Sequence, residues 1–189
     1  MDHRTPPSAG LALAFAFLLG GCIVDNSGGP PPGGDAIDFE VALVGPSYFC
    51  AQMEDQAHLI ADSEGLDAFI DSCDPGEAAD IDAVDQALGE QLEALEEGQA
   101  LLVVNTILGG CFGDWRVEAV HRDGDTLRPW VLKADTAYGQ QSTGCPADIG
   151  QGNEVLVVEG ASDATAVELT VGVYNPDLPG SPDEAITLE

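Results

Sequence analysis

Between Asp35 and Gly45 apolar and polar positions alternate, with Ile37, Phe39, Val41 and Leu43 on one side and Asp38 and Glu40 on the other. A period of two predicts a half-buried strand, and Pro46, which has no N–H to pair, ends it. His58-Leu59-Ile60 is a short strand candidate. The period then lengthens. Leu66, Phe69, Ile70 and Cys73 fall at helical spacing, and Asp62 or Ser63 is placed to cap the first turn. Asp74-Pro75-Gly76 breaks the chain. Across residues 78–97 the side chains of Ile81, Val84, Leu88, Leu92 and Leu95 form one stripe with acids opposite, and Gly98 supplies the stop.

Residues 100–108, ALLVVNTIL, are nearly all apolar and rich in branched side chains, the pattern of a central strand. Two segments, 115–122 and 126–134, flank the turn signal Asp123-Gly124-Asp125 and predict a hairpin. Pro129 places one of its strands at a sheet edge. A second hairpin is expected from 154–158 and 165–174 across Gly160-Ala161-Ser162-Asp163. The elements sum to an α+β fold: a small antiparallel sheet of about six strands with two helices. No βαβ run, G-x-G-x-x-G or P-loop is present, which argues against a nucleotide-binding parallel sheet.

The N-terminal segment reads as an address. His3 and Arg4 lie in a short n-region and Leu11 to Leu19 form an apolar h-region, too short to span a bilayer. Leu19-Gly20-Gly21-Cys22 resembles the lipobox of bacterial lipoproteins. That resemblance implies cleavage before Cys22 and lipidation of its thiol, hence attachment to the bacterial cell envelope through a lipid anchor. Ile23, rather than Asp, follows the cysteine, which favours the outer membrane. The organisation expected is a signal peptide over 1–21, a lipidated cysteine and Gly/Pro-rich tether over 22–34, a folded α+β domain over 35–175 and an acidic, Pro-containing tail over 176–189.

Charge narrows the choice of partner. The chain holds 34 acidic and 5 basic residues, a net charge of −29. Loss of residues 1–21 would remove Asp2 and Arg4, one charge of each sign, so the acidity belongs to the domain. Nothing so acidic can neutralise a run of phosphates, which argues against nucleic acid. An apolar fraction of 44% still supports a real core.

Without Cys22 the cysteines are Cys50, Cys73, Cys111 and Cys145. An even number in an exported chain predicts two disulfides, so the domain is expected to be disulfide-braced. Three pairings exist, of which proximity favours Cys50–Cys73 with Cys111–Cys145. A nucleophilic Cys111 would need a histidine base, and only His58 and His121 remain in the domain. The cysteine spacings match no zinc pattern. Asp80, Asp82 and Asp85 suggest calcium, but Val84, Asp85 and Gln91 stand where an EF-hand loop starting at Asp80 needs a ligand, a glycine and a glutamate. Acids near a helix N-terminus are favoured by the dipole in any case. Carboxylate pairs able to hydrolyse a glycoside are conceivable among so many acids, yet no subset stands out. No cofactor, metal site or catalytic set is expected.

The basic residues of the domain are concentrated instead. Arg116, Arg122, Arg128 and Lys133 all lie in the predicted 115–134 hairpin, with Trp115 and Trp130, the only tryptophans. Tryptophan with arginine is the composition of interface anchors, so these six residues are candidates for binding a protein partner. They equally suit a hairpin whose tryptophans pack the core and whose cations pair with carboxylates. A two-residue turn would put Trp115, Val117 and Trp130 on one face. A three-residue loop would put Trp130 opposite Glu118, away from Trp115.

From about Ala57 to Val173 the order of features resembles the C-terminal domain of PrcB-type protease complex subunits. The shared order is a Ser-Glu-led helix (Ser63 to Ile70), an apolar strand (Ala100 to Leu108), Gly109-Gly110, an aromatic strand (Trp115 to Val120), its hairpin partner (Thr126 to Lys133) and a Cys-containing loop before a final strand. Cys111 and Phe112 follow the glycines where that family commonly has Tyr. The resemblance implies a non-catalytic subunit that associates with a protease. The function expected is a lipid-anchored envelope protein whose acidic domain binds another envelope or secreted protein. The alternative is a tethered inhibitor or accessory subunit of an exported protease, with a calcium-binding module or a carboxylate hydrolase behind it.

Overall fold

The computed structural model describes residues 32–46, 54–73, 80–108, 112–135 and 150–174. Among them are nine strands and two helices: β1 (Asp35–Ile37), β2 (Phe39–Pro46), β3 (Gln56–Ile60), α1 (Ser63–Ser72), α2 (Ile81–Glu93), β4 (Ala100–Leu108), β5 (Phe112–Asp123), β6 (Thr126–Asp135), β7 (Gly150–Val158), β8 (Ala166–Val167) and β9 (Thr170–Tyr174). The α+β class expected from the pattern holds. The strands form two sheets rather than one. The first runs β2-β7-β4-β3 and is antiparallel throughout. The second runs β1-β5-β6-β8, with β9 also pairing β6.

Both helices start on an aspartate that satisfies an orphan N–H of the first turn. Asp62 accepts from Gly65 N at 2.9 Å and Asp80 from Ala83 N at 3.3 Å. Their apolar stripes (Leu66, Phe69, Val84, Leu88) cover one face of the first sheet, meeting Ile60, Leu101, Val103, Val155 and Val157. The alternate residues of the same strands, Leu102, Val104, Leu156 and Val158, face the second sheet and meet Val117, Val120, Leu127 and Val131. The fold is therefore three layers: helices, first sheet, second sheet. β4 is its middle, covered on both sides, which explains its unbroken apolar run.

Three expectations are corrected. The strand count is nine rather than about six: each of the seven strand segments of the pattern forms, and two of them divide. The 35–45 segment splits at Asp38, where the chain leaves β5 in one sheet and joins β7 in the other. The 165–174 segment splits opposite Arg128 and Pro129: β8 pairs Thr126 and Leu127, and β9 pairs from Trp130 onward. Pro129 has no N–H to offer there, so it marks a gap within the sheet instead of a sheet edge. The second hairpin does not form. β7 belongs to the first sheet, whereas β8 and β9 run parallel to β6 in the second, so the Gly160–Asp163 turn carries the chain across the sandwich.

Cys73 is the only cysteine among the described residues. It is 8% exposed, and its sulfur lies 3.3 Å from the Phe69 carbonyl. Cys22, Cys50, Cys111 and Cys145 lie outside the described residues, as do the signal segment and the C-terminal tail, so no disulfide joins two described positions.

One close approach fixes the distance between the sheets. The Trp115 indole lies against the backbone of Gly152, where a Cβ would overlap the ring. Gly152→Ala is expected to lower stability by about 1–3 kcal/mol, the usual cost of overpacking. Urea unfolding followed by tryptophan fluorescence would measure it, and an unchanged midpoint would mean the indole moves freely.

Candidate functional site

The 115–134 hairpin forms with a two-residue Gly124-Asp125 turn, Asp123 opposite Thr126. A bulge between Val117 and Ala119 then shifts the register. Trp115 comes opposite Lys133, and Trp130 opposite Ala119. The two tryptophans consequently occupy opposite faces. Trp115 packs with the cluster between the sheets, and Trp130 packs with Leu132, Ala134 and Tyr174 on the far face. Neither simple loop length produces this arrangement. The turn is the shorter of the two, and the inserted residue does what a longer loop would have done.

The six candidate residues do not form one patch. Lys133 points inward with Trp115 and is 5% exposed. Its ammonium donates to both Asp55 oxygens, at 2.7 and 2.9 Å, and to the Ile107 carbonyl at 2.8 Å. Asp55 also accepts from Thr106 Oγ1 and Ile107 N, both at 2.8 Å. The pair joins β6 of one sheet to the start of β3 and the end of β4 in the other. Partial burial by itself would raise the Asp55 pKa. The hydrogen bonds from Lys133, Ile107 and Thr106, with the Lys133 charge, outweigh that and hold it below its ordinary value.

The arginines are tied as well. Arg116 pairs with Glu118 at 2.7 Å and lies 5.7 Å from the centre of the Tyr174 ring. Arg122 pairs with Asp163 at 2.9 Å and donates to the carbonyls of Gly124 and Gly160. Arg128 bridges Asp123 at 2.7 Å and Glu168 at 2.9 Å. Arg122 and Arg128 thus fasten the β5–β6 turn to the segments before and after β8. Of these partners the sequence marked none. Trp130 is half-buried, and its Nε1 has no hydrogen-bond partner among the described residues.

Two further carboxylates sit along the β5 edge. Asp114 accepts from Trp115 N at 2.8 Å, and Glu154 of β7 accepts from Val117 N. Burial, with the nearby Asp114 charge, raises the Glu154 pKa despite the hydrogen bond from Val117. β1 covers β5 only at Val120, His121 and Arg122. Beyond it, carboxylates occupy these two edge donors, where another strand would otherwise pair.

The histidines stand apart. His58 is half-buried edge-on against Phe69, 5.2 Å between ring centres, and burial lowers its pKa. His121 Nδ1 is 3.4 Å from the Gly34 carbonyl. Asp80 caps α2, and Asp82 and Asp85 are exposed on its first turns. Among the described residues no three His, Cys, Asp or Glu side chains cluster as metal ligands would. No helix among them is long and apolar enough to cross a membrane. No protein-family model, curated protein or solved structure matches the chain.

Asp55→Ala leaves a buried ammonium without its counter-charge and is expected to cost about 3 kcal/mol, with Asp55→Ala/Lys133→Met recovering most of it. Denaturant midpoints of the wild type, Asp55→Ala, Lys133→Met and the double variant would measure both effects; additive costs in the double variant would contradict the pairing. Because the folded pKa of Asp55 is depressed, its contribution is present above the ordinary value of 3.8 and is lost as pH falls through the folded value. Glu154 has the opposite sign. Its raised pKa means the charged form is disfavoured in the fold, so the cost grows as pH rises through that value. Glu154→Gln should raise the Tm at pH 7 and leave it unchanged at low pH, where both side chains are neutral.

Proposed function

We propose that this chain is a lipid-anchored protein of the bacterial envelope whose acidic domain binds a basic exported or envelope protein, without catalysing a reaction. The observation that carries the reading is the disposition of charge. Each of the four cations that follow residue 21 is held by a carboxylate of the same domain: Lys133 by Asp55, Arg116 by Glu118, Arg122 by Asp163, and Arg128 by Asp123 and Glu168. The large acidic excess is left to face solvent. A surface of one sign steers partners of the other and repels copies of itself. The Trp and Arg residues of the hairpin then serve the fold, and the partner is recognised by carboxylates.

The anchor is Cys22, and Gly/Pro-rich residues 23–34 hold the domain close to the outer membrane. Cys50–Cys73 and Cys111–Cys145 brace the domain. Support for the bracing is that the Cys73 sulfur is a half-cystine and not a titrating thiol. The resemblance to PrcB-type subunits makes an exported protease the first partner to test.

Two experiments test the reading. Cys22→Ala should move the chain from the membrane to the soluble fraction; retention in the membrane would remove the lipid anchor. The tagged full chain, solubilised in detergent from its native membrane, should carry one stoichiometric basic protein. That protein should be released as salt rises from about 0.15 to 0.5 M, which shortens the screening length from about 8 Å to roughly half that. A chain recovered alone, or with an acidic partner indifferent to salt, would overturn it.

A further inference from the structure

The sheet edges are not equally guarded. β1 and β8 are short, no apolar residue of β3 is exposed, and β9 is five residues long with one exposed valine, Val173. On β5, Asp114 and Glu154 occupy the N–H groups of Trp115 and Val117. β2 differs. It is eight residues long, about 27 Å at the rise of a strand, and among the described residues it pairs only β7. Its register shift between Val41 and Leu43 puts Val41 opposite Leu156 and Val44 opposite Glu154. Those β7 positions are two residues apart, so both valines point to the same side, toward the second sheet. β1, at the border of that sheet, ends at Ile37 and does not cover them. Val41 is 47% exposed and Val44 75%.

An apolar edge of this length invites a further strand, which natural sheets ordinarily prevent with lysine, proline or a cover. Here the strand itself carries no lysine and ends in Pro46. The surroundings are acidic: Asp38 and Glu40 are exposed at its start, and Glu154 with Asp114 lies on its Val44 side. Copies of a chain at −29 repel one another, so the acidity that leaves the edge open to a cationic chain discourages a second copy. We propose that β2 is the docking edge for an extended basic segment of the partner protein, which adds as a strand beside Phe39–Pro46. Its apolar side chains would cover Val41 and Val44, and its lysine or arginine side chains, on the other side of the added strand, would meet Glu40. Main-chain hydrogen bonds supply affinity in this mode, and alternate side chains supply selectivity. The proposal rests on the partner-binding reading above and assigns its surface.

The test uses the full chain in detergent micelles and fluorescent peptides of eight residues, the length of the edge. One peptide alternates Lys with Val, a second alternates Glu with Val, and a third is the Lys/Val peptide N-methylated at alternate residues. Only the first should bind. Val41→Glu/Val44→Glu adds negative charge while removing the apolar contact, so charge alone would tighten binding and edge docking would weaken it about tenfold or more. Both valines are exposed, and an unchanged circular dichroism spectrum and Tm would verify the fold. Equal or tighter binding by the double variant, binding of the N-methylated peptide, or no binding of the Lys/Val peptide would each overturn the proposal. So would sedimentation showing a wild-type dimer that the variant dissolves, because a second copy would then occupy the edge. A native partner retained by the double variant would refute the edge assignment and leave the partner-binding reading intact.

Discussion

A single ammonium group holds the two sheets in register at one end of the sandwich. Lys133 is 5% exposed, on a strand face otherwise given to Leu127 and Val131. A buried cation is tolerable only when its protons are met, and here Asp55 and the Ile107 carbonyl meet them. Since Asp55 also binds Thr106 and the Ile107 N–H, the end of β4 and the start of β3 must sit where β6 requires. Trp115, opposite Lys133 on β5, then lies against the backbone of Gly152 of β7. The strands that carry the candidate residues are thus positioned by one ion pair and one aromatic contact. Dispersion and apolar burial elsewhere supply most of the stability but far less of the registry.

The same economy of cations governs the exterior. A domain with few basic residues and many acids could have displayed its arginines. Instead Arg122 and Arg128 fasten the β5–β6 turn to the crossing segment around β8, and Arg116 lies beside Glu118 and Tyr174. The carboxylates left over repel like surfaces and attract basic ones. Two of them have a local task, covering the Trp115 and Val117 N–H groups along β5. Edge protection by acids on β5 and an exposed apolar edge on β2 are therefore adjacent on one flank, which gives the domain one side suited to an added strand and one that resists it.

Much of this was legible in the sequence and some of it could not be. The helices were readable because their caps, Asp62 and Asp80, and their apolar spacing are local. β4 was readable because a strand covered on both sides has no polar alternation. The division of 35–45 was hidden, since both halves keep the same period of two while pairing with different sheets. Pro129 was a true signal given the wrong cause: the missing N–H produced a gap between β8 and β9. The hairpin register depended on a bulge, which leaves no composition mark in Trp115-Arg116-Val117-Glu118-Ala119. Lys133 stands in the inward phase with Leu127 and Val131, a pattern that demands a buried carboxylate. Among so many acids nothing local singled out Asp55, which lies 78 positions away. That β2 pairs only β7 among the described residues is a property of sheet order, and no window along the chain contains it.

The cations of the domain are tied to its own carboxylates, and Lys133 is the one buried between the sheets. The most direct measurement is nitrogen-detected NMR of the Lys133 ammonium in the labelled full chain, followed at neutral pH as salt is raised. A slowly exchanging ammonium signal, unmoved by salt and lost in Asp55→Asn, is the expected result. A Lys133 signal that exchanges with water as fast as a free lysine, or that shifts with ionic strength, would contradict it.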